Sequence, residues 1–150
     1  MTTMTVAEWR KQQAKPKRNR FGVSKRADRT WNGKVYASKM EMLYAQELDI
    51  VAKAGNRVEE QVPVVLGPSG IELVVDFKIT YLRMPPLWVE VKGMETPAWR
   101  LKCRLWMVHG PGPLKVVKLC GKVWKTLETI TPGEPRQKRE RKKKRKVVMA

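Results

Sequence analysis

Two carboxylates and an amine near the middle of the chain have residue types and spacing that suit catalysis. Asp76 lies within the apolar, alternating segment 71–80, and Glu90 and Lys92 lie two residues apart in the segment 87–92. Side chains alternate between the two faces of a strand, so Glu90 and Lys92 share a face. If the two segments pair as antiparallel neighbours, Asp76 can approach them, and the three side chains converge at one end of a sheet.

Such a set suits metal-dependent hydrolysis of a phosphodiester bond. Carboxylate oxygens bind Mg²⁺, for which Mn²⁺ can substitute, and the metal ion lowers the pKa of a bound water molecule. A nearby ammonium group can position that water or stabilise the developing charge. The alternative is a solvated strand face on which Glu90 and Lys92 form a weak ion pair. Against this alternative, an aspartate is poorly suited to an apolar strand unless it is exposed or functional.

Several other functions find no support in the residue types. His109 is the only histidine, which leaves no histidine-based metal cluster and no Ser-His relay. No G-x-x-x-x-G-K-[S/T] motif occurs, so we expect no nucleotide cofactor. The chain lacks an apolar run of the ~18 residues that a membrane span needs, and its first residues do not resemble a signal peptide. We therefore expect a cytoplasmic protein that does not contact a membrane.

Seven segments have the periodicity of regular structure, and they must position this set. The clearest is a helix over residues 38–54, because Ser38 and Glu41 form an S-x-x-E capping box and Gly55 is a natural stop. A second helix is predicted from Thr96-Pro97 to about His109. Alternation and turn residues predict the strands, which cover residues 58–66, 71–80, 87–92, 114–119 and 122–130.

This order of elements predicts one mixed α/β domain, with a central sheet flanked by helices. We assign residues 31–131 to the domain, residues 1–30 to a basic N-terminal arm and residues 132–150 to a basic, disordered tail. Within the domain, we expect Val89 and its alternating neighbours to face the core and Glu90 to face away from it. Tryptophans are more often core residues than base-stacking platforms, and this interpretation applies to Trp31, Trp88, Trp99, Trp106 and Trp124. Trp88 shares a face with Glu90, so it is the one that could lie near a bound nucleic acid.

The charge of the chain is concentrated at its two ends. The net charge is +18, from 32 basic and 14 acidic residues. Residues 10–29 and residues 136–150 each contain nine basic residues and a single acid, so the part between them is nearly neutral. Two basic arms favour a polyanion such as DNA or RNA as partner, and charge alone does not distinguish the two. A solubilising tail or a targeting signal is the alternative.

Candidate contacts with a nucleic acid follow from this charge and from the position of Asp76. Gln61 lies on the strand before Asp76 and can point toward it, although a surface glutamine is the simpler interpretation. The basic residues of the second helix either bind phosphate or form its solvated face. The full set comprises Gln61, Arg100, Lys102 and Arg104 in the domain, Arg18, Arg20, Lys25 and Arg26 in the N-terminal arm, and Lys142, Lys143, Lys144 and Arg145 in the tail.

The spacing of the three central residues resembles the signature of the PD-(D/E)xK nucleases. Val75-Asp76 precedes Glu90-Val91-Lys92 with 13 residues between Asp76 and Glu90, although valine stands where the signature has proline. The element order also resembles the αβββαβ core of that restriction-endonuclease-like superfamily. A narrower likeness covers roughly residues 18–120, through RNRFGVSKRADRTWNGKVYASKMEMLYAQEL, QVPVVL, VVDF and WVEVKG. These segments resemble small phage proteins related to endonuclease I Holliday-junction resolvases.

The resemblance implies a Mg²⁺-dependent endonuclease that acts on branched DNA as a homodimer. It implies that Asp76, Glu90, Glu41 and the carbonyl of Val91 bind the metal ion and that Lys92 assists the reaction. Glu41 has a simpler interpretation as the capping-box glutamate. Two other functions stay open: a nicking or nonspecific endonuclease that acts on duplex DNA, and a DNA-binding accessory protein without catalytic activity.

Overall fold

The computed structural model describes residues 22–68 and 70–134. It divides the chain into two compact units, the first ending at Met42 and the second beginning at Leu43. No helix in the described residues is long and apolar enough to cross a membrane. Arg18, Arg20 and the tail residues Lys142, Lys143, Lys144 and Arg145 lie outside the described residues.

The first unit contains a short hairpin that the sequence analysis did not assign. A 3-10 turn, Ala27–Arg29, leads into β1 (Thr30–Trp31), which pairs antiparallel with β2 (Lys34–Val35). Asn32 and Gly33 connect the strands at φ of +49° and +76°, and this Asn-Gly turn is the usual two-residue hairpin connection. The guanidinium of Arg29 donates to the carbonyls of Ser24 and Tyr36. Part of the N-terminal arm predicted over residues 1–30 is therefore folded.

Helix α1 (Lys39–Lys53) begins and ends where its capping residues predict. The backbone N–H of Glu41 donates to Ser38 Oγ over 3.1 Å, and that hydroxyl donates to Glu41 Oε1 over 2.9 Å. This is the S-x-x-E pair of the sequence, with the serine hydroxyl in place of the backbone as the second donor. Gly55 follows the helix at φ of +88°, in the left-handed region that glycine adopts without strain.

The second unit is built on one five-stranded sheet. Its strands are β3 (Arg57–Leu66), β4 (Ile71–Thr80), β5 (Leu87–Val91), β6 (Leu114–Cys120) and β7 (Val123–Ile130), in the spatial order β3-β4-β5-β6-β7. All neighbours are antiparallel except β5 and β6, which are parallel and are connected through helix α2 (Pro97–His109). The predicted mixed α/β architecture, with a last strand near residues 122–130, is confirmed.

Both faces of the sheet are covered, and β4 changes its inward face near Asp76. Val75 belongs to the buried cluster that contains the α2 residues Trp99 and Trp106. Two residues later, the ring of Phe77 instead contacts Tyr44 of α1, with centroids 5.5 Å apart. Strict alternation would place Val75 and Phe77 against the same neighbour. The predicted regular alternation over residues 71–80 is therefore interrupted at Asp76.

The expectation that Glu90 faces away from the core was wrong. Trp88 is only 5% exposed and lies edge-on to Trp106, with ring centroids 5.9 Å apart. Val89 and Glu90 are buried as well. A central strand covered on both faces has no solvated side, whatever alternation its sequence displays. Trp88 is thus part of the core and does not provide a surface for a polyanion.

Helix α2 ends against two glycines whose missing side chains make room for indole rings. Gly110 N–H donates to the carbonyl of Trp106 over 2.8 Å, and Trp106 Nε1 donates to the carbonyl of Gly112 over 2.9 Å. A Cβ atom on Gly110 would lie 2.6 Å from both Trp106 Nε1 and the Trp106 carbonyl oxygen. Because the carbonyl is backbone, the clash could not be relieved by a change of rotamer.

We expect Gly110→Ala to lower the free energy of unfolding by about 1–3 kcal/mol, since overpacking displaces the fully buried Trp106. Urea unfolding monitored by tryptophan fluorescence would measure the change. Val108→Ala, at an exposed position on the same helix end, is the control and should change stability by less than about 0.5 kcal/mol. Equal effects of the two substitutions would contradict this account of the glycine.

Tyr44 generates a prediction about alkaline pH. Burial raises the pKa of Tyr44 from 10.0 to about 12, with smaller contributions from Tyr81 and Glu47. The folded state thus favours the neutral phenol, so its stabilising contribution is complete below pH 10.0 and is lost as the pH rises toward 12. The stability difference between the wild type and Tyr44→Phe should shrink over this window in denaturant titrations. A difference that stays constant to the top of the window would contradict the assignment.

Candidate active site

The carboxylate of Asp76 takes the place of a main-chain partner where two strands separate. Strands β4 and β5 pair from Ile79↔Leu87 to Phe77↔Val89, and the described pairing stops there. At the next position, Val91 N–H donates to Asp76 Oδ2 over 2.9 Å. A side-chain oxygen therefore satisfies a backbone donor that the strand ladder no longer satisfies.

Gln61 holds the other oxygen of the same carboxylate. It faces Asp76 in the β3–β4 register, between the pairs Glu60↔Phe77 and Val62↔Val75, but it has φ of +52° and is not itself paired. Its Nε2 donates to Asp76 Oδ1 over 3.2 Å. The left-handed conformation costs a non-glycine residue about 1–2 kcal/mol, and such strain is concentrated at functional sites. Gln61 thus contacts Asp76, which the sequence analysis gave as the second interpretation beside that of a surface glutamine.

Glu90 and Lys92 form the second part of the site. Lys92 Nζ lies 3.0 Å from Glu90 Oε1, so the two side chains lie on the same side of the strand end, as predicted. The same ammonium lies 4.1 Å from the centroid of the Trp99 ring, at the start of α2. A carboxylate and an indole face together hold the amine in place. Trp99 was assigned only to the core by sequence; the Thr96-Pro97 helix start was the available signal of its position.

The two carboxylates lie on adjacent strands with little exposure to solvent. Asp76 is 9% exposed and Glu90 is 6% exposed, and they are the next residues opposite one another in the β4–β5 register. Two buried carboxylates on neighbouring strands raise the energy of the site unless positive charge is close. Lys92 supplies one such charge, and a divalent cation would supply more.

The donor set suits Mg²⁺. This ion is commonly held by one or two carboxylates together with water and substrate phosphate oxygens. Each oxygen of Asp76 accepts a hydrogen bond from a group described above, and these bonds fix the orientation of the carboxylate. In residues 22–68 and 70–134, no group of three or more His, Cys, Asp and Glu side chains is placed to hold a metal ion. In the described part of the second unit, Asp76 and Glu90 are the buried acidic residues.

Glu41 has the capping role that the sequence analysis gave as its alternative. It is buried in the first unit and hydrogen-bonds to Ser38 through both its backbone N–H and Oε1. Its Oε2 has no hydrogen-bond partner within the described part of the chain. A metal ligand role for Glu41, and for the carbonyl of Val91, stays a prediction.

The basic residues proposed to contact nucleic acid occupy the surface. Arg100 and Arg104 are exposed on α2, and Lys102 is half-buried one turn after Trp99. Lys25 and Arg26 are exposed in the first unit. This exposure is compatible with phosphate binding and also with a solvated face, so these contacts stay predictions.

Comparisons of the chain with family models, with curated proteins and with solved structures found no match. The likeness to PD-(D/E)xK nucleases thus stays a prediction that rests on Asp76, Glu90 and Lys92. The geometry contributes an independent observation, because Glu90 and Lys92 form an ion pair and Asp76 is the next residue opposite Glu90 in the β4–β5 register. The chemistry of the site has to be argued from that arrangement.

The ion pair between Glu90 and Lys92 can be tested by a double-mutant cycle. Lys92→Met should lower the free energy of unfolding by about 1–3 kcal/mol, because it leaves a buried carboxylate without its ammonium. Adding Glu90→Gln should recover most of that loss. Chemical denaturation of the wild type, both single variants and the double variant would give the coupling energy.

The pair Arg57–Glu59 provides a matched control, with the same 3.0 Å separation but with Arg57 75% exposed at its side chain. Its coupling energy should stay below about 1 kcal/mol, since solvent screens an exposed pair. Equal coupling in the two cycles would show that burial does not strengthen the Glu90–Lys92 pair.

Proposed function

We propose that the protein is a Mg²⁺-dependent endonuclease that hydrolyses DNA phosphodiester bonds, with Asp76, Glu90 and Lys92 as its catalytic residues. One observation carries the proposal: two buried carboxylates lie where the β4–β5 ladder ends, with the Lys92 ammonium 3.0 Å from one of them. Buried charge of this kind is unfavourable for stability alone, and perturbed charges cluster at functional sites. The fold proposed with it is the restriction-endonuclease-like type.

Each residue has a distinct role in this proposal. Gln61 and the Val91 N–H orient the two oxygens of Asp76, and this carboxylate and Glu90 would together hold a divalent ion. When bound, Mg²⁺ polarises the phosphoryl group and makes a coordinated water more acidic. Lys92 donates to the attacking water or to a phosphate oxygen, which stabilises negative charge as the water attacks phosphorus and the bond to the leaving oxygen breaks.

The charge favours a nucleic acid as the substrate, and the family likeness favours DNA. A net charge of +18, concentrated in two segments at the ends of the chain, provides nonspecific attraction to phosphate. Contacts of this kind position a nucleic acid without reading its sequence. Branched DNA, such as a four-way junction, is the proposed form, and a homodimer in the cytoplasm would provide its two symmetric cuts. The branched substrate and the homodimer rest on the resemblance to the endonuclease I family.

The test is incubation of the full chain with a labelled four-way junction and with a matched linear duplex, in Mg²⁺, Mn²⁺ or EDTA. Paired cuts in the junction are expected with either metal ion and should be lost in EDTA. Asp76→Ala should lower the cleavage rate by at least about 100-fold, because it removes a proposed metal ligand. Asp49→Ala, which removes an exposed aspartate paired with Lys53, should keep full activity.

Two other outcomes would identify different functions. Equal cutting of the linear duplex would favour a nicking or nonspecific endonuclease with the same site. Tight DNA binding without cleavage in either metal ion would contradict the nuclease proposal and favour an accessory DNA-binding protein.

A further inference from the structure

Three lysines occupy neighbouring positions on three adjacent strands beside the proposed active site. Lys92 follows β5, Lys118 lies on β6 and Lys125 lies on β7. The parallel β5–β6 register pairs Glu90 with Val116, and Lys92 N–H continues it by donating to the Val117 carbonyl over 2.8 Å. This continuation places Lys92 beside Lys118. Lys118 and Lys125 are direct partners in the β6–β7 register.

The three lysines share the face of the sheet that α2 covers. Trp88 and Val116 belong to the buried cluster that includes α2. Side chains an even number of residues apart on a strand share a face. Lys92 therefore lies on the face of Trp88, and Lys118 lies on the face of Val116. As its direct cross-strand partner, Lys125 lies on that face too. Lys115 is an odd number of residues from Lys118 and therefore faces the opposite way.

A cleft opens where this row of lysines begins. It has a volume of about 270 Å³ and lies directly beside the Lys92 side chain. The cleft is lined by Lys92, Gly93, Met94, Glu95, Lys118 and Leu127. Two ammonium groups and one carboxylate therefore border a space large enough for a hydrated phosphate group.

The row contains two lysines that lie opposite each other and that form no salt bridge with a described acidic residue. Lys118 and Lys125 lie directly opposite each other, and like charges at such positions destabilise a sheet. Within the described residues, neither forms a salt bridge, whereas Lys78 on β4 pairs with Glu59 at 3.5 Å. An anion bound between Lys118 and Lys125 would convert this repulsion into attraction.

We propose that this cleft and the lysine row beside it bind a backbone phosphate of DNA adjacent to the one that is hydrolysed, with Lys118 of the cleft and its cross-strand partner Lys125 as ligands. Adjacent strands lie about 4.8 Å apart, so the row from Lys92 to Lys125 spans about 10 Å. Lys118 and Lys125 position the substrate and take no part in the chemistry. The inference rests on the proposed nuclease function, because it requires DNA to lie across Lys92.

The experiment measures binding of the full chain to a four-way DNA junction in EDTA, where no cleavage is expected, over a series of salt concentrations. Lys118→Gln and Lys125→Gln should each lower the slope of log K against log salt by about 1, and the double variant by about 2. Lys118→Arg should keep the wild-type slope. Lys115→Gln, which removes the same charge from the opposite face of β6, is the matched control and should leave the slope unchanged.

Cleavage in Mg²⁺ supplies a second measurement. The double variant should raise KM and keep kcat, since it weakens substrate binding without touching the reacting atoms. An unchanged salt slope in the variants of a protein that cleaves DNA would overturn the cleft proposal and leave the nuclease proposal standing. A lowered slope in a protein that never cleaves DNA would support the cleft as a phosphate site while the nuclease proposal fails.

Discussion

The hydrogen bond from Val91 N–H to the carboxylate of Asp76 is the interaction on which the site depends. It allows β4 and β5 to separate at one end without leaving that backbone donor buried and unpaired, which would cost about 1–3 kcal/mol. Asp76 and Glu90 therefore lie just beyond the last β4–β5 pair, Phe77↔Val89. Gln61 adds a second donor at the expense of an unfavourable backbone conformation. Strain and buried charge therefore occur at the same point of the sheet.

The surrounding fold is arranged to keep that point rigid. Trp88 packs edge to face against Trp106 of α2, and the first turn of α2 brings Trp99 over Lys92. On the other face, Tyr44 contacts both Phe77 and Trp124. Aromatic side chains thus cover the strands on both sides of the carboxylates. A packed frame of this kind fixes charged groups in position more firmly than a loop could.

Periodicity predicted most of the fold and the core of the site. The capping box of Ser38 and Glu41 marked the start of α1, and the two-residue spacing of Glu90 and Lys92 correctly predicted that their side chains lie together. Alternation failed for Trp88, because burial of a central strand is decided by its neighbours and not by its own sequence. The hairpin at Asn32 was missed although its Asn-Gly turn is a strong local signal.

The register between distant strands could not be predicted from sequence patterns. The opposition of Lys118 and Lys125 depends on the register of β6 and β7, and that register shifts between Val116 and Val117. No feature local to either lysine indicates it. The positive φ of Gln61 likewise follows from the position of Asp76 on the next strand, because glutamine has no intrinsic preference for that conformation.

The shift in β7 has a consequence for how the sheet tolerates sequence change. Val116 pairs with Glu128 and Val117 pairs with Thr126, so Leu127 is an extra residue between two correctly paired segments. The pairing on either side would have the same partners without it. Leu127 is therefore an additional residue in the β6–β7 register, and it lines the cleft beside Lys92 and packs against the core. A substitution at this position would therefore change the lining of the cleft while the pairing of β6 with β7 stays the same.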